Sequence, residues 1–318
     1  MTHDQLTRNE MLRLMAGAAA TCALSSSVRG AVVPADGQTE GAKVASQMLK
    51  RPIPSSGELL PVVGLGTYIN FDVAPRSAEY ARLPAVLDAL FASGGTVIDS
   101  SPMYGRAEAT TGELLAGTKA RKPFLATKVW TSGREAGIQQ MTQSMRLLRT
   151  ERIDLMQIHN LLDWRTHMPT LRAWKAAGRI RYLGITHYSP SAYAEVEAVM
   201  RSEKLDFLQI NYALDDRAAE ARLLPLARER GIAVICNSPF GGGGLLRRLR
   251  GTPLPGFARE LGATNWAQLA LKFLLAEPAV TCVIPGTGNP TYMAENAAAG
   301  SGPLPNAQQR RELIKLAG

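Results

Sequence analysis

Four polar residues follow apolar segments and could together transfer a proton. Asp99, Lys128 and His159 each end a run of residues that is typical of a buried strand. Tyr104 lies in the loop Ser100–Gly105 that follows Asp99. If the ends of these strands meet at one rim, a carboxylate, an ammonium, an imidazole and a phenol converge there, and such a set suits general acid–base chemistry.

The chemistry depends on how these groups shift each other's pKa values. A free phenol has a pKa of about 10, too high for an ideal acid near neutral pH. An adjacent ammonium favours the phenolate, so we expect Lys128 to lower the pKa of Tyr104. A buried ammonium needs a counter-ion, which Asp99 can supply. His159 could orient a carbonyl oxygen, and reduction of that carbonyl then requires a hydride donor.

The elements that would position these residues alternate regularly from Leu59 onward. Eight strand-like and eight helix-like segments predict a parallel sheet, and eight strands are the number that closes a barrel. We therefore predict an α/β fold: a single (β/α)8 TIM barrel with an N-terminal β-hairpin, turning at Ser55–Gly57, that closes the barrel floor. A doubly wound sheet is the alternative, but no Gly-x-Gly-x-x-Gly follows a strand. The predicted strands are 62–67, 96–99, 124–128, 153–159, 180–185, 207–211, 232–236 and 280–284, and the predicted helices are 83–91, 108–115, 135–148, 168–177, 190–200, 216–230, 265–275 and 292–299.

The N-terminal region differs in composition from the rest. Arg8 and Arg13 precede a mildly apolar stretch and then small residues, a pattern typical of an export signal. Thr7–Arg13 is similar to a twin-arginine signal, with Asn9 in place of the second arginine. We predict an export signal over residues 1–31, a linker over 32–49, the barrel over 50–318, and a periplasmic location. A poorly ordered amphipathic helix on a cytoplasmic protein is the alternative.

Composition excludes several other functions. The formal charge is +9, but the basic residues are scattered and the 6% of aromatic residues are not interleaved with them, so we expect no nucleic-acid partner. No segment is apolar enough to predict a stable membrane span. The three cysteines and four histidines have no ligand-like spacing, which predicts neither a disulfide framework nor a metal site. We expect a monomer.

The motifs around the four polar residues resemble those of the aldo-keto reductase family, in its order and spacing. They are Leu65–Thr67, Asp99–Gly105, Thr127–Trp130 and Ile158–Asn160. The resemblance covers about residues 50–296. It implies reduction of an aldehyde or ketone by hydride transfer from a nicotinamide cofactor. It also implies that Tyr104 is the general acid, tuned by Lys128 and Asp99, and that His159 orients the carbonyl.

The resemblance also implies a cofactor site made of residues that follow most of the strands. Gln209 matches the residue that binds the carboxamide, with Thr186 and His187 at the place of a Ser-Asn pair. Asn237 stands where the family often stacks a tyrosine on the nicotinamide. The implied cofactor residues are Gly66, Thr67, Asn160, Thr186, His187, Gln209, Asn237, Ser238, Phe240, Gly241, Pro285, Gly286, Thr287, Glu295 and Asn296.

The expected cofactor is NADP(H), with NAD(H) as a second possibility. Gly286 and Tyr292 occupy the positions of basic residues that commonly hold the 2′-phosphate, so we expect reduced discrimination against NADH, and Arg247 or Arg248 would have to compensate. Aromatic residues next to the catalytic strands predict a substrate mouth for a hydrophobic aldehyde or ketone. These residues are Tyr68, Phe71, Trp130 and Trp164, and packing under loops explains Phe71 and Trp164 equally well. The alternative function is a nicotinamide-binding regulatory or redox-sensing subunit, which would keep the same four residues.

Overall fold

The computed structural model describes residues 47–117 and 122–318. The predicted export signal and the predicted linker up to residue 46 lie outside the described residues. The strands are β1 Lys50–Pro52, β2 Leu59–Pro61, β3 Leu65–Gly66, β4 Val97–Asp99, β5 Phe124–Val129, β6 Ile153–His159, β7 Ile180–His187, β8 Phe207–Asn211, β9 Ala233–Asn237 and β10 Val280–Val283. The α-helices are α1 Ala78–Ala92, α2 Ala107–Ala116, α3 Arg134–Leu147, α4 Trp164–Ala176, α5 Tyr193–Ser202, α6 Leu223–Arg230, α7 Gly244–Arg248, α8 Trp266–Leu275, α9 Pro290–Ala298 and α10 Ala307–Ala317.

The strands β3 to β10 form one parallel sheet in sequence order, and this sheet curls into a barrel. Backbone hydrogen bonds close the seam between its first and last strands. Gly64 N donates to Val283 O at 2.9 Å, and Gly66 N donates to Pro285 O at 3.2 Å. At Gly66 a Cβ would lie 2.9 Å from the backbone oxygen of Ile284, so glycine permits this close approach. The predicted (β/α)8 barrel is confirmed.

Alternate residues of the strands fill the barrel interior, as the period of two requires. Most of this inner core comes from the first halves of the strands, including Phe124, Leu155 and Phe207. The hairpin of β1 and β2 adds Ile53 and Leu60 to the same cluster. The hairpin therefore closes the barrel floor, as predicted.

A larger apolar core separates the outer face of the sheet from the helices. Several helices differ in extent from the sequence prediction. α1 begins at Ala78, before the predicted residue 83, because the Ser77 hydroxyl caps it by accepting a hydrogen bond from Tyr80 N at 3.1 Å. α6 begins later than predicted, at Leu223, after a short 3₁₀ turn over Ala218–Ala221.

The final helix, α10, is absent from the sequence prediction. It starts at a capping box in which the Asn306 side chain accepts from Gln309 N, while the Gln309 side chain accepts from Asn306 N. The first strand is shorter than predicted, since β3 spans only Leu65–Gly66. The shortening follows from the seam, where residues 62–66 bond to the end of β10 through isolated bridges.

Among the described residues, no helix has the length and apolarity needed to cross a membrane. The same residues contain no group of three or more histidine, cysteine, aspartate or glutamate side chains arranged to hold a metal ion. Cys236 and Cys282 are free, buried thiols. Burial raises the pKa of both, so they pack as small apolar side chains.

Candidate active site

A polar layer lies directly above the apolar inner core, at the carboxyl ends of the strands. Val97, Ala126, Leu155 and Phe207 point into the barrel, so the residues two positions later point the same way. Those residues are Asp99, Lys128, Gln157 and Gln209, and each is at most 2% exposed. The sequence thus places a charged pair and two amides in the interior of the barrel, where active sites of this fold form.

Lys128 and Asp99 form a buried ion pair. Lys128 Nζ donates to Asp99 Oδ2 at 2.6 Å and to the backbone oxygen of Ser100 at 2.7 Å. The other carboxylate oxygen, Asp99 Oδ1, accepts from Gln209 Nε2 at 2.8 Å and from Gln157 Nε2 at 3.3 Å. Three donors on one carboxylate offset the cost of removing its charge from water.

The ionisation of Lys128 is set by two opposing effects. Burial lowers its pKa from the ordinary value, since a low-dielectric interior disfavours the ammonium. The Asp99 carboxylate opposes this shift and keeps the proton on the amine. The ammonium lies 5.0 Å from the centroid of the Tyr104 ring, so its charge faces the phenol.

Tyr104 occupies the centre of an aromatic cluster above this pair. Its ring centroid lies 4.9 Å from that of Tyr68 and 5.9 Å from that of His159. The pKa of Tyr104 is raised well above its usual value, chiefly by burial and then by the Asp99 carboxylate and Tyr68. The expectation that Lys128 lowers the pKa of Tyr104 is therefore wrong for the protein without a bound cofactor. The reason is that burial and the Asp99 carboxylate both penalise the phenolate, and together they outweigh the favourable effect of the ammonium. The phenol therefore keeps its proton at neutral pH.

His159 stands beside the phenol as an uncharged ring. Its Nδ1 lies 3.0 Å from Ser101 Oγ. Burial lowers the pKa of His159 well below its usual value, and the positive charge of Lys128 and the ring of His187 lower it further. At neutral pH this imidazole is therefore a neutral hydrogen-bonding group and not a second acid.

The carboxamide positions after β7 and β8 are close to each other and to the ion pair. Thr186 Oγ1 lies 3.4 Å from Gln209 Oε1, while Gln209 Nε2 is bound to Asp99. His187 Nδ1 accepts from Tyr188 N and Ser189 N, each at 3.1 Å, so it carries no proton. Burial also lowers the pKa of His187. His187 is thus an uncharged ring at neutral pH.

Three buried amide oxygens of the site lack partners among the described residues: Gln157 Oε1 in the polar layer, and those of the predicted cofactor residues Asn160 and Asn237. Asn160 Oδ1 and Asn237 Oδ1 have no hydrogen-bond partner within the described part of the chain. Asn160 also adopts a left-handed φ of 53°, which holds it directly after β6. A primary carboxamide supplies N–H donors, so a nicotinamide amide fits this pair of unsatisfied acceptors.

The loop after β9 has backbone open to solvent. Ser238 and the three glycines at 241–243 have positive φ angles, and a Cβ at Gly242 would meet nothing within 4 Å. Phe240 packs against the outer core and anchors the loop. Gly241 N and Gly243 N donate within the loop, to Ser238 O and Phe240 O, each at 2.9 Å, and the absence of Cβ atoms lets a phosphate approach the backbone closely. Of the two predicted basic residues, Arg248 is paired with Asp215 at 2.6 Å. Arg247 has no carboxylate partner among the described residues.

The last predicted cofactor residues follow β10, at the same end of the barrel. Pro285 and Gly286 take part in the seam with Gly66. Thr287 Oγ1 accepts from Asn289 N at 3.1 Å, just before α9. On α9, Glu295 is half-buried and Asn296 is buried. On the facing side of the seam, Thr67 bonds to Asp99 O through its N–H at 3.0 Å, and its Oγ1 is also 3.0 Å from that oxygen.

The predicted substrate residues divide into two groups. Tyr68 contacts Tyr104, and the Trp130 ring lies 6.3 Å from His159. Gln140 fixes Trp130 by bonding both its backbone N–H and its carbonyl. Trp164 instead stacks under Arg165 and packs on the outer core, and Phe71 is completely buried in that core. The structure therefore brings Tyr68 and Trp130, but not Trp164 or Phe71, into ring contact with the four polar residues.

Sequence reasoning missed two residues that touch this set, Ser101 and Gln157. Gln157 is the only polar side chain within the apolar run Leu155–Ile158, two positions before His159. The period of two therefore placed it on the inward face. Ser101 follows Asp99 by the same spacing, but it lies in a loop, where no periodicity indicates which way it points.

Comparison with known proteins agrees with this geometry. The profile of the Aldo/keto reductase family matches residues 62–312. The curated methylglyoxal reductase YeaE of Escherichia coli (strain K12) is 29% identical over 261 residues, covering 79% of this chain and 89% of the relative. The aldo-keto reductase str7 of Strobilurus tenacellus is 28% identical, over 68% of this chain and 75% of its own.

Solved structures show the same relationship. An aldo/keto reductase from Klebsiella pneumoniae, in complex with NADP and acetate, superposes with a TM-score of 0.70. It is 26% identical, covering 82% of this chain and 93% of that chain. The family match spans most of the chain, and the barrel, the buried Lys128–Asp99 pair and the adjacent phenol and imidazole are consistent with it. The chain therefore belongs to the aldo/keto reductase family and is an oxidoreductase.

Proposed function

We propose that this protein reduces an aldehyde or ketone to an alcohol with NADPH as the hydride donor. The observation that carries the proposal is the position of Tyr104, whose ring centroid lies 5.0 Å from the Lys128 ammonium and 5.9 Å from the His159 ring. When bound, the reduced nicotinamide supplies the hydride. Two solved relatives from Klebsiella pneumoniae contain NADP or NADPH, which supports this cofactor.

Each residue of the site has a distinct part in this proposal. Tyr104 donates its proton to the carbonyl oxygen, and His159 hydrogen-bonds that oxygen and orients it. The charge of Lys128 faces the phenol and stabilises the phenolate that remains after proton transfer. Asp99, held by Gln157 and Gln209, keeps Lys128 protonated in the barrel interior.

The cofactor contacts follow from the unsatisfied and exposed groups of the rim. Asn160 and Asn237 would accept from the carboxamide, together with Gln209, whose Oε1 accepts one weak hydrogen bond from Thr186 Oγ1 and has a second lone pair. The backbone of the loop 238–243 would hold the pyrophosphate. Tyr68 and Trp130 would enclose an apolar substrate. Because one relative is named a methylglyoxal reductase, methylglyoxal is the first substrate to test.

Oxidation of NADPH by the purified protein tests the proposal. We expect turnover with methylglyoxal or with a panel of apolar aldehydes, and a loss of at least about a hundredfold in kcat for Tyr104→Phe. The Kd of that variant for NADPH should be unchanged. Binding of NADPH without turnover of any carbonyl would reject the hypothesis of an enzyme and favour a regulatory subunit. A rate for Tyr104→Phe equal to that of the unsubstituted protein would do the same.

We also propose that the protein is exported to the periplasm, on the pattern of residues 1–31. Export of a cofactor-loaded enzyme requires a route that carries folded proteins, which a twin-arginine-like signal supports. N-terminal sequencing of the protein from its native host tests this location. A mature protein that still begins at Met1 would contradict it.

A further inference from the structure

We propose that Ser101 is a positioning residue, which donates its hydroxyl hydrogen to Nδ1 of His159 and thereby holds the ring in the tautomer protonated at Nε2. The effect of Ser101 on catalysis rests on the proposed function, whereas its effect on the tautomer of His159 does not. In that tautomer His159 presents an N–H donor to the substrate carbonyl oxygen. In the opposite tautomer it would present a lone pair, which repels that oxygen.

The burial of Ser101 leaves its hydroxyl few options. Its side chain is completely buried, and its Oγ lies 3.0 Å from His159 Nδ1. The same oxygen accepts a hydrogen bond from Met103 N at 3.4 Å, which uses one of its two lone pairs. A serine hydroxyl also carries one hydrogen, and a buried hydroxyl without an acceptor is costly.

His159 Nδ1 is the acceptor within reach of that hydrogen in the described part of the chain. If Nδ1 carried the proton and donated to Ser101, the serine hydrogen would have no acceptor there. The tautomer with a bare Nδ1 satisfies both groups. The proton of the neutral imidazole then resides on Nε2, which has no partner among the described residues and remains available to a ligand.

The charges around His159 also favour a neutral ring. A doubly protonated ring could not accept from Ser101, and it would lie near the Lys128 ammonium. Burial and that ammonium both lower the pKa of His159. The second ring in the vicinity, His187, is also neutral, because its Nδ1 accepts two backbone N–H groups. The hydroxyl of Ser101 therefore selects between two neutral forms.

The local fold holds Ser101 in place. Tyr104 N donates to Ser101 O at 3.0 Å, so the residue that orients the imidazole also forms the turn that carries the phenol. The preceding residue, Ser100, bonds differently, since its Oγ lies 2.9 Å from Thr67 Oγ1. Two adjacent buried serines thus have separate partners, and Ser100 provides a matched control.

Nitrogen NMR of the full-length protein with ¹⁵N-labelled histidine tests the tautomer directly. We expect His159 to show an unprotonated Nδ1 and a protonated Nε2 at neutral pH. In Ser101→Ala the two nitrogen shifts should move towards each other, as the tautomers mix, and kcat/KM for the carbonyl substrate should fall about tenfold. Ser101→Thr keeps the hydroxyl and should recover both values. Ser100→Ala should leave the nitrogen shifts of His159 unchanged.

Three results would overturn the proposal. One is a protonated Nδ1 in the unsubstituted protein. The second is a Ser101→Ala protein in which either the shifts or kcat/KM remain unchanged. The third is a folded Ser101→Thr protein that recovers neither. Because the nitrogen shifts need no turnover, a failure of the proposed carbonyl reduction would be recognised separately, in the unsubstituted enzyme.

Discussion

The Nζ of Lys128 lies 2.6 Å from Oδ2 of Asp99, and both side chains are almost completely removed from solvent. In such a pair the desolvation cost of each charge is offset only by the other charge and by additional hydrogen bonds. Here Ser100 O, Gln157 and Gln209 supply those bonds. The same ion pair therefore contributes to the stability of the barrel and holds the ammonium that faces Tyr104.

Breaking this pair from one side should be strongly destabilising. Asp99→Asn leaves the ammonium without a counter-charge, and we expect the free energy of unfolding to fall by about 3–5 kcal/mol. Urea denaturation measures this. The pair of Arg172 and Glu203, whose arginine lies half exposed at the surface, is the control, and Glu203→Gln should cost no more than about 1 kcal/mol. Equal effects of the two substitutions would show that burial does not set the energy of the Lys128–Asp99 pair.

The depressed pKa of His159 predicts a specific dependence on pH. Below about pH 6.5 an unfolded histidine takes up a proton, whereas folded His159 does not until its own lower pKa is reached. The unfolded state thus binds more protons, so stability falls with falling pH through this window, by up to about 1.4 kcal/mol per pH unit. We expect His159→Gln to reduce this slope. Urea denaturation at several values between about pH 7 and about pH 5, the range in which an ordinary histidine titrates, measures it. An identical slope in the variant would place the pKa of His159 near its ordinary value.

A methyl group should be costly at a glycine of the barrel interior and tolerated at a glycine on the surface. A Cβ at Gly184 on β7 would lie 2.6 Å from the backbone oxygen of Phe207, so the strand would have to shift. We expect Gly184→Ala to lower the free energy of unfolding by about 1–3 kcal/mol. Gly256→Ala is the control, because a Cβ there meets nothing within 4 Å, and we expect no loss or a small gain. Thermal unfolding of both variants checks the contrast, which a stable Gly184→Ala protein would contradict.

Arg247, and not Arg248, should contribute to recognition of the cofactor's phosphates. Arg248 is paired with Asp215, while the guanidinium of Arg247 lies near Gly243 without a carboxylate. If it holds the 2′-phosphate, Arg247→Ala should weaken NADPH binding about tenfold and leave NADH binding nearly unchanged. Titration calorimetry with both cofactors measures this, with Arg248→Ala as the control. Equal losses for NADPH and NADH would assign Arg247 to the pyrophosphate instead.

A thousandfold preference of the unsubstituted protein for NADPH would contradict the expected reduced discrimination between NADPH and NADH.

The sequence by itself determined the architecture and the four polar residues. The strand over residues 153–159 and the strand over residues 207–211 agree with β6 and β8 at both ends, because their apolar runs are bounded by clear breaks. Asp99, Lys128 and His159 were identifiable because a polar residue at the end of a buried strand is unusual. The family motifs then added Tyr104, which no periodicity could have placed.

Only the tertiary structure decided how these residues act on each other. The pKa of Tyr104 is raised and not lowered, because the net effect depends on how deeply the phenol is buried and on the distance between Asp99 and Lys128. The hydrogen bond from Ser101 to His159 joins a loop to a strand end 58 residues away, and the Gln157 and Gln209 bonds to Asp99 join three different strands. Local sequence patterns specify which way a side chain points, whereas the strength of burial, charge and hydrogen bonding depends on neighbours that only the closed barrel brings together.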